Sequence, residues 1–216
     1  AWLCDVLDGT AVRLVHVGSA SEYGDPLSTA LVSELSPLRA LGDYACSKAA
    51  GTKAVLSARA QGLDAVVARV FNIVGHPVPE VSPIHQWLSD LQALKTSSGS
   101  IDVWWPETTR DFVMIEDVAT ALVHLAEAIS VPPIINLCSG IGLKYGEIAE
   151  AIAEQLDIAL TVNSLNMPGI ESVIGDPELL RETIGWVPTM SLDRLAKRVT
   201  GRDQAGASGG GSSASR

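Results

Sequence analysis

Val12-Arg13-Leu14-Val15-His16-Val17-Gly18-Ser19 is a short, mostly apolar run that ends in glycine and serine. Val12–Val17 shows little alternation of apolar and polar residues, which is typical of a parallel strand buried on both faces. The runs Ala65–Phe71 and Ile134–Leu137 have the same character. Helical patterns separate the three runs. We therefore predict an α/β fold in which these three strands form a parallel sheet.

The segments around these strands predict the remaining elements. Small residues dominate Asp43–Gln61, and Gly62 is suited to end that helix as its C-terminal cap. Ser82 and Pro83 can start another helix. Further helices are predicted near Trp2–Leu7 and over 82–95, 116–129, 144–156, 176–184 and 192–199, a short strand over 101–105, loops over 18–42 and 72–81, and a flexible Gly/Ser/Ala-rich tail over 201–216.

Composition limits the class of function. The 216-residue chain is 47% hydrophobic and carries a formal net charge of -10, which argues against nucleic acid and anionic membranes as partners. No apolar run approaches the ~20 residues of a membrane span, and no signal-peptide pattern is present. Cys4, Cys46 and Cys138 lack the spacing of a metal site, as do the scattered histidines. We expect reduced cysteines, a cytoplasmic location and no metal.

Tyr44 and Lys48 are the first candidates for chemistry. Spaced four residues apart, they share one face of the predicted helix. A phenol is a poor base at neutral pH, but a nearby ammonium stabilises the phenolate. Tyr44 can then exchange a proton with a substrate hydroxyl or carbonyl, while Ser19 hydrogen-bonds the same oxygen. Taken alone, the pair is also compatible with a half-buried tyrosine beside a solvated lysine.

Six segments follow one another along the chain. They are Val17-Gly18-Ser19-Ala20-Ser21-Glu22-Tyr23-Gly24; Tyr44-Ala45-Cys46-Ser47-Lys48; Arg69-Val70-Phe71-Asn72-Ile73-Val74-Gly75; Arg110-Asp111-Phe112-Val113 with Asp117-Val118-Ala119; Asn136-Leu137-Cys138-Ser139-Gly140; and Gly185-Trp186-Val187-Pro188. In this order they resemble the extended short-chain dehydrogenases/reductases, a group of nucleotide-sugar epimerases, dehydratases and reductases. The resemblance covers nearly all of the chain outside the tail.

The resemblance implies a partial Rossmann-type parallel sheet, its C-terminal half, with a small C-terminal substrate-binding subdomain. Residues 1–75 and about 110–140 would belong to the Rossmann-like part, and about 76–109 and 141–200 to the subdomain. It also implies a nucleotide-sugar substrate and NAD or NADP as the cofactor, which carries the redox chemistry while the protein orients the reactants and manages the proton.

Individual roles follow from the same resemblance. It implies that Tyr44 is the acid/base, that Lys48 also holds the nicotinamide ribose, and that Ser19 orients the reacting oxygen. Tyr44 and Lys48 are thus also candidate cofactor contacts. Phe71 is a further one, although its apolar character favours a place in the core.

Asn72 and Arg110 are the implied contacts to the nucleotide diphosphate of the substrate. A guanidinium suits this role because it can meet two phosphate oxygens at once. The alternative for Arg110 is a salt bridge to Asp111 or Asp117. The alternative for Asn72 is a turn residue that satisfies its own backbone.

The residues after Ser19 narrow the reaction. Sugar 4,6-dehydratases of this group carry an acidic pair there, but Ala20 and Ser21 cannot remove a proton or expel water, and Glu22 lies one place too late. The pattern instead resembles reductases of 4-keto-6-deoxy sugars, in particular those derived from GDP-mannose. A 4-epimerase stays open because it also needs only the serine, tyrosine and lysine. Reduction of a non-sugar ketone is a third alternative.

The main departure from the family pattern is the missing Gly-rich turn that receives the dinucleotide pyrophosphate. We therefore expect the first half of the sheet to be absent and one apolar sheet edge to be open. This favours a second hypothesis, in which the chain is a non-catalytic remnant or a half completed by a partner. The partner would be a second copy in a homodimer or a complementing N-terminal half.

Overall fold

The computed structural model describes residues 2–26, 30–165 and 172–203. In chain order the elements are α1 (Trp2–Leu7), β1 (Leu14–Ser19), α2 (Gly42–Ala60), β2 (Ala65–Val70), β3 (Asn72–Val74), α3 (Pro83–Ala93), β4 (Ser98–Trp104), β5 (Thr109–Met114), α4 (Ile115–Glu127), β6 (Ile134–Leu137), β7 (Gly142–Lys144), α5 (Tyr145–Gln155), β8 (Ala159–Leu165), β9 (Ser172–Val173), α6 (Glu178–Ile184) and α7 (Leu192–Val199). A 3₁₀ turn, Ala20–Tyr23, follows β1 directly.

The three predicted buried strands form one parallel sheet in the order β1-β2-β6. Leu14 is paired with Ala65, and Val67 with Ile134. The central strand β2 is buried along its whole length, because it has a neighbour on each side and helices on both faces. The parallel α/β prediction is confirmed, with β1 starting two residues later than expected.

Alternation along β2 divides its side chains between two cores. Val66 and Ala68 pack with Leu125 of α4 and Leu180 of α6 on one face. On the opposite face, Ala65, Val67 and Leu63 pack with Cys4 of α1 and Val55 of α2. The sheet is thus covered by helices on both faces, as expected of a parallel sheet with helical crossovers.

The chain divides into two compact units. The described residues of the first are 2–26, 30–73, 109–142 and 172–190, and those of the second are 74–108, 143–165 and 191–203. From the sequence, we assigned about 141–200 to the substrate-binding subdomain, which corresponds to the second unit. Residues 172–190 belong instead to the first, because α6 inserts the fully buried Leu180 into the core beside β6.

The second unit contains the parallel pair β4 and β8, in which Ser98 lies opposite Ala159. Helices α3 and α5 supply the buried side chains Trp87, Leu91, Ile148 and Ile152. Ser82 caps α3 by accepting a hydrogen bond from the Ile84 backbone N–H, and Pro83 occupies the first turn, as predicted.

Several strands differ from the prediction. β3 lies in a segment that was expected to be a loop, and β5, β7, β8 and β9 were not predicted. β5 pairs in parallel with β9, with Thr109 opposite Ser172. Within the predicted tail, only residues 201–203 are described, so its remainder lies outside the described residues. Every helix in the described ranges is too short or too polar to cross a bilayer.

Candidate active site

A cavity of about 580 Å³ opens at the carboxyl ends of β1 and β2. Its lining includes all six residues that the sequence singled out: Ser19, Tyr44, Lys48, Phe71, Asn72 and Arg110. β1 ends at Ser19, β2 ends just before Phe71, and α2 carries the tyrosine and the lysine. Parallel strands end at the same edge of a sheet, which is where ligands of such folds bind.

Ser19 sits where β1 passes into the 3₁₀ turn. Its Oγ accepts hydrogen bonds from the Ser21 backbone N–H at 3.2 Å and from the Ser21 hydroxyl at 2.9 Å. A serine hydroxyl has two acceptor sites and one donor hydrogen. Because Ser21 occupies both acceptor sites, the Ser19 hydrogen is the part of this group left to meet a ligand.

Tyr44 and Lys48 lie one turn apart on α2, as their spacing predicted. The Tyr44 side chain is largely exposed, at 63%. Lys48 Nζ is 5.8 Å from the centroid of the Tyr44 ring and donates a hydrogen bond to the Val17 carbonyl at 3.2 Å. The ammonium is therefore fixed between the end of β1 and the tyrosine ring.

Asn72 and Arg110 come from neighbouring strands, β3 and β5. Asn72 Nδ2 donates to the Asp111 carbonyl at 2.7 Å, which leaves the second amide hydrogen and the amide oxygen for other contacts. Arg110 Nη1 donates to the Thr109 carbonyl at 2.8 Å. Phe71 lines the cavity but is only 3% exposed, so it is also a core residue, as its apolar character favoured.

The carboxylate of Asp111 organises the strand ends around Arg110. It accepts hydrogen bonds from the Ser139 hydroxyl at 2.6 Å and from the backbone N–H groups of Ser139, Gly140 and Gly175 at 2.9, 2.9 and 3.2 Å. Burial raises the pKa of the Asp111 carboxyl, while these hydrogen bonds act in the opposite direction. Asp111 thereby ties β5 to the segments that follow β6 and β9.

A buried ion pair beneath Ser19 was missed by sequence reasoning. Glu22 and Arg69 are 0% and 1% exposed, and Arg69 Nε lies 3.0 Å from Glu22 Oε2. The available signal was an arginine inside an otherwise apolar predicted strand, since charged residues are rarely fully buried unless paired. Nothing in the sequence identified Glu22 as its partner.

The hydrogen-bond network continues away from the cavity. Arg69 Nη1 donates to the Tyr23 hydroxyl at 3.0 Å, and Tyr23 donates to Asn136 Oδ1 at 2.6 Å. Asn136 in turn donates its backbone N–H to Glu34 and its amide to the Val32 carbonyl. Burial raises the pKa of Tyr23 to about 12, so the Tyr23 phenol stays protonated and donates.

No group of three or more His, Cys, Asp or Glu side chains in the described ranges is arranged to hold a metal ion. The three cysteines are free.

Two proteins of known activity are similar to this chain over most of its length. The dTDP-6-deoxy-L-talose 4-dehydrogenase (NAD(P)(+)) of Kitasatospora kifunensis is 29% identical over 196 residues, which cover 87% of this chain and 61% of that protein. The GDP-6-deoxy-D-mannose reductase of Pseudomonas aeruginosa is 27% identical over 205 residues, which cover 88% and 66%. The chain thus spans less than two thirds of the length of these relatives.

Solved structures support the fold. RMD from Pseudomonas aeruginosa, complexed with NADPH, superposes with a TM-score of 0.79 at 23% identity, covering 91% of this chain and 68% of that one. The dTDP-glucose 4,6-dehydratase of Bacillus anthracis, in complex with NAD, gives a TM-score of 0.80 at 17% identity, covering 94% and 65%. These likenesses show a Rossmann-like fold.

Residues 2–138, more than half of the 216, match the NAD dependent epimerase/dehydratase family. The resemblance drawn from the six sequence segments is thereby confirmed. The chain belongs to the NAD dependent epimerase/dehydratase family.

Proposed function

We propose that this chain forms the catalytic part of an NAD- or NADP-dependent enzyme that reduces the 4-keto group of a nucleotide sugar. The observation that carries the proposal is the convergence of Ser19, Tyr44, Lys48 and Arg110 on one cavity. The names of the two relatives described above, a sugar 4-dehydrogenase and a deoxysugar reductase, both denote redox chemistry on a sugar.

The residues present suit one end of the dinucleotide. Lys48 and Tyr44 supply donors that would hold the ribose next to the nicotinamide, and small residues such as Gly18, Ala20 and Ala45 leave room beside them. NAD or NADP supplies or accepts the hydride when it is bound. The described ranges contain no G-x-G-x-x-G segment, so the pyrophosphate would need groups from outside them.

The proton steps use this chain's own groups. Tyr44 would donate its phenolic proton to the sugar oxygen as the carbonyl becomes an alcohol. The Lys48 ammonium would stabilise the phenolate that remains. Ser19, with its acceptor sites taken by Ser21, would direct its hydroxyl hydrogen to the same oxygen.

Arg110 and Asn72 favour a diphosphate-bearing substrate over a simple ketone. Both line the cavity, and a guanidinium is well suited to phosphate oxygens. Ala20 and Ser21 at the cavity wall offer no carboxylate for dehydration. A 4-epimerase would use the same serine, tyrosine and lysine.

The free cysteines are compatible with the predicted cytoplasmic location.

A second candidate is a half that needs a complementing chain. It is favoured by β1, which pairs with β2 alone among the strands in the described ranges and so presents an outer edge. Such edges pair readily with further strands. In this version the catalytic residues are present, but cofactor binding requires the partner.

The test is incubation of the purified chain with GDP-4-keto-6-deoxymannose and NADPH or NADH, with the absorbance of the reduced nicotinamide followed over time. The proposal predicts oxidation of one cofactor together with formation of the 4-hydroxy sugar. Formation of a 4-epimer from a nucleotide sugar without net cofactor oxidation would assign the epimerase instead. Activity seen only after addition of the part of the Pseudomonas aeruginosa reductase that this chain does not match would assign the complemented half. No turnover and no dinucleotide binding in either mixture would contradict both.

A further inference from the structure

Glu22 Oε1 is an acceptor shared by two elements of the site. It accepts the backbone N–H of Ser19 at 3.0 Å and the hydroxyl of Thr52 at 3.0 Å. Ser19 is the last residue of β1, and Thr52 belongs to α2. One carboxylate oxygen therefore joins the end of the strand to the helix.

Thr52 lies on the same face of α2 as the two catalytic candidates. Residues 44, 48 and 52 are spaced four apart, so their side chains stack along the helix. Thr52 is 1% exposed, and its hydroxyl reaches Glu22 in the interior. Any shift of Glu22 relative to Thr52 would alter the separation of Ser19 from the Tyr44–Lys48 face.

The second carboxylate oxygen of Glu22, Oε2, is held by Arg69. Oε2 meets Arg69 Nε, and the Arg69 guanidinium carbon lies 4.7 Å from the centroid of the Tyr23 ring. Because Arg69 also donates to the Tyr23 hydroxyl, the glutamate cannot rotate without breaking contacts to β2 and to its own turn. Gly18 is required here, since a Cβ at that position would lie 2.8 Å from Glu22 Oε1.

Burying a charged pair is a costly way to hold two elements together. Removal of two ions from water is offset only when geometry and additional hydrogen bonds are good, and apolar replacements often stabilise a fold equally well. The Glu22 carboxylate of this pair accepts further hydrogen bonds from Ser19 and Thr52, which lie on the two elements that carry the candidate catalytic residues. This argues for a role in geometry in addition to stability.

We infer that Glu22 is a positioning residue that, through Thr52, sets the placement of Ser19 relative to Tyr44 and Lys48. The inference rests on the proposed function for its catalytic meaning. Its structural content, a link between the strand end and the helix, stands on the contacts alone. Hydroxyl and phenol must meet one substrate oxygen, and misplacement by about 1 Å can cost roughly a hundredfold in rate.

The test compares Thr52→Val, which replaces the hydroxyl by a methyl group, with Thr52→Ser, which keeps the hydroxyl, in the full chain. Thr120→Val is the matched control, because it removes the Thr120 hydroxyl bond to the Glu116 carbonyl on the exposed face of α4. If Thr52→Val does not fold, Thr52→Ala replaces it. The first readout is backbone amide hydrogen exchange at Ser19 and at Val67 of β2. The second is the separate measurement of kcat and KM.

We expect Thr52→Val to speed exchange at Ser19 about tenfold or more and to leave Val67 unchanged. We also expect it to lower kcat roughly ten- to hundredfold with little change in KM. Thr52→Ser should restore both. Exchange at Ser19 like that of Thr120→Val, or an equal loss of protection at Ser19 and Val67, would overturn the positioning role. If the wild-type chain shows no turnover, the proposed function fails, and the exchange comparison alone decides the inference.

Discussion

Arg110 is a cation beside a cavity in a chain whose formal net charge is -10. An anionic ligand approaching such a chain is repelled at long range and has to be attracted locally. Lys48 is fixed near Tyr44 and the end of β1, whereas Arg110 reaches the cavity from β5. The two cations therefore suit different parts of one ligand.

Replacing Arg110 by alanine should weaken binding of a nucleoside diphosphate about tenfold to a hundredfold. A charge-assisted contact of this kind contributes roughly 1.5–3 kcal/mol. Arg110→Lys should recover only part of the affinity, because an ammonium cannot make the two-pronged contact. Calorimetric titration of each variant with GDP measures the effect.

Arg181→Ala is the matched control, since Arg181 pairs with Glu178 on the exposed side of α6. If Arg110→Ala binds GDP as tightly as Arg181→Ala does, Arg110 has a structural role, and the nucleotide-sugar proposal loses its diphosphate contact.

The candidate site residues could be located from the sequence, but the buried residues that hold them in place could not. Ser19, Tyr44, Lys48 and Arg110 lie in segments whose order and spacing carry the information. Glu22 was considered only as a misplaced dehydratase acid. Its pairing with Arg69 spans 47 positions in sequence, so it exists only once β1 and β2 are adjacent.

At the scale of elements, α2 meets β1 at Gly51 and His16. A Cβ on Gly51 would lie 3.1 Å from His16 Nε2, so glycine permits this close approach. In the described part of the chain, His16 Nε2 is buried without a hydrogen-bond partner. Burial lowers the pKa of His16, the Lys48 ammonium lowers it further, and the nearby Glu22 carboxylate acts in the opposite direction.

The burial of His16 against α2 should make the protein less stable as the pH falls. Between the folded pKa of His16 and its ordinary value of 6.5, the unfolded chain binds more protons than the folded one. The stabilisation is fully present above about pH 6.5 and is lost as the pH falls through the folded pKa. Urea unfolding from about pH 7.5 to about pH 5.5 should therefore show a falling midpoint in the wild type.

His16→Gln should flatten this dependence, whereas His124→Gln, on α4, should retain it. Equal pH slopes in the wild type and in His16→Gln would show that His16 does not contribute.

Several elements were predictable because burial shapes their composition. Small residues and the C-terminal Gly62 located α2, helical patterns located α4 and α5, and unbroken apolar composition located β1, β2 and β6. The strands β5 and β8, with six and seven residues, gave no such pattern, and neither did the short strands. β3, β7 and β9 have three, three and two residues, and their existence depends on partners that are distant in sequence.

At the scale of the whole molecule, the outer edge of β1 is the main feature expected to recruit other chains. Leu14 donates its backbone N–H to Asp64 beside β2, so the backbone groups of Val15 face the other way. On that same side the Val17 carbonyl accepts a hydrogen bond from Lys48. Val12, two residues before β1, is 53% exposed, and Trp2 and Val6 of α1 are 75% and 53% exposed. In the described ranges β1 thus keeps one edge without a neighbouring strand, and the segment that leads into it carries an exposed apolar side chain.

The chain should therefore self-associate in a concentration-dependent manner, or pair with a second polypeptide. Val12→Lys should weaken association, because a lysine beside a strand edge disfavours edge pairing. Val123→Lys is the control, since Val123 is 54% exposed on α4. Sedimentation velocity over a range of concentrations measures the effect. A monodisperse wild-type monomer at every concentration would contradict the prediction.

The central claim is that Tyr44 transfers the proton in a redox reaction on a nucleotide sugar. The most direct measurement is kcat of Tyr44→Phe against wild type and Tyr145→Phe, with GDP-4-keto-6-deoxymannose and the cofactor that the wild type uses. The substitution removes only the hydroxyl, so we predict a loss of roughly 10²–10⁴-fold in kcat with sugar-nucleotide affinity nearly unchanged. Tyr145→Phe should behave as wild type. An unchanged kcat in Tyr44→Phe would remove Tyr44 from the mechanism and contradict the account.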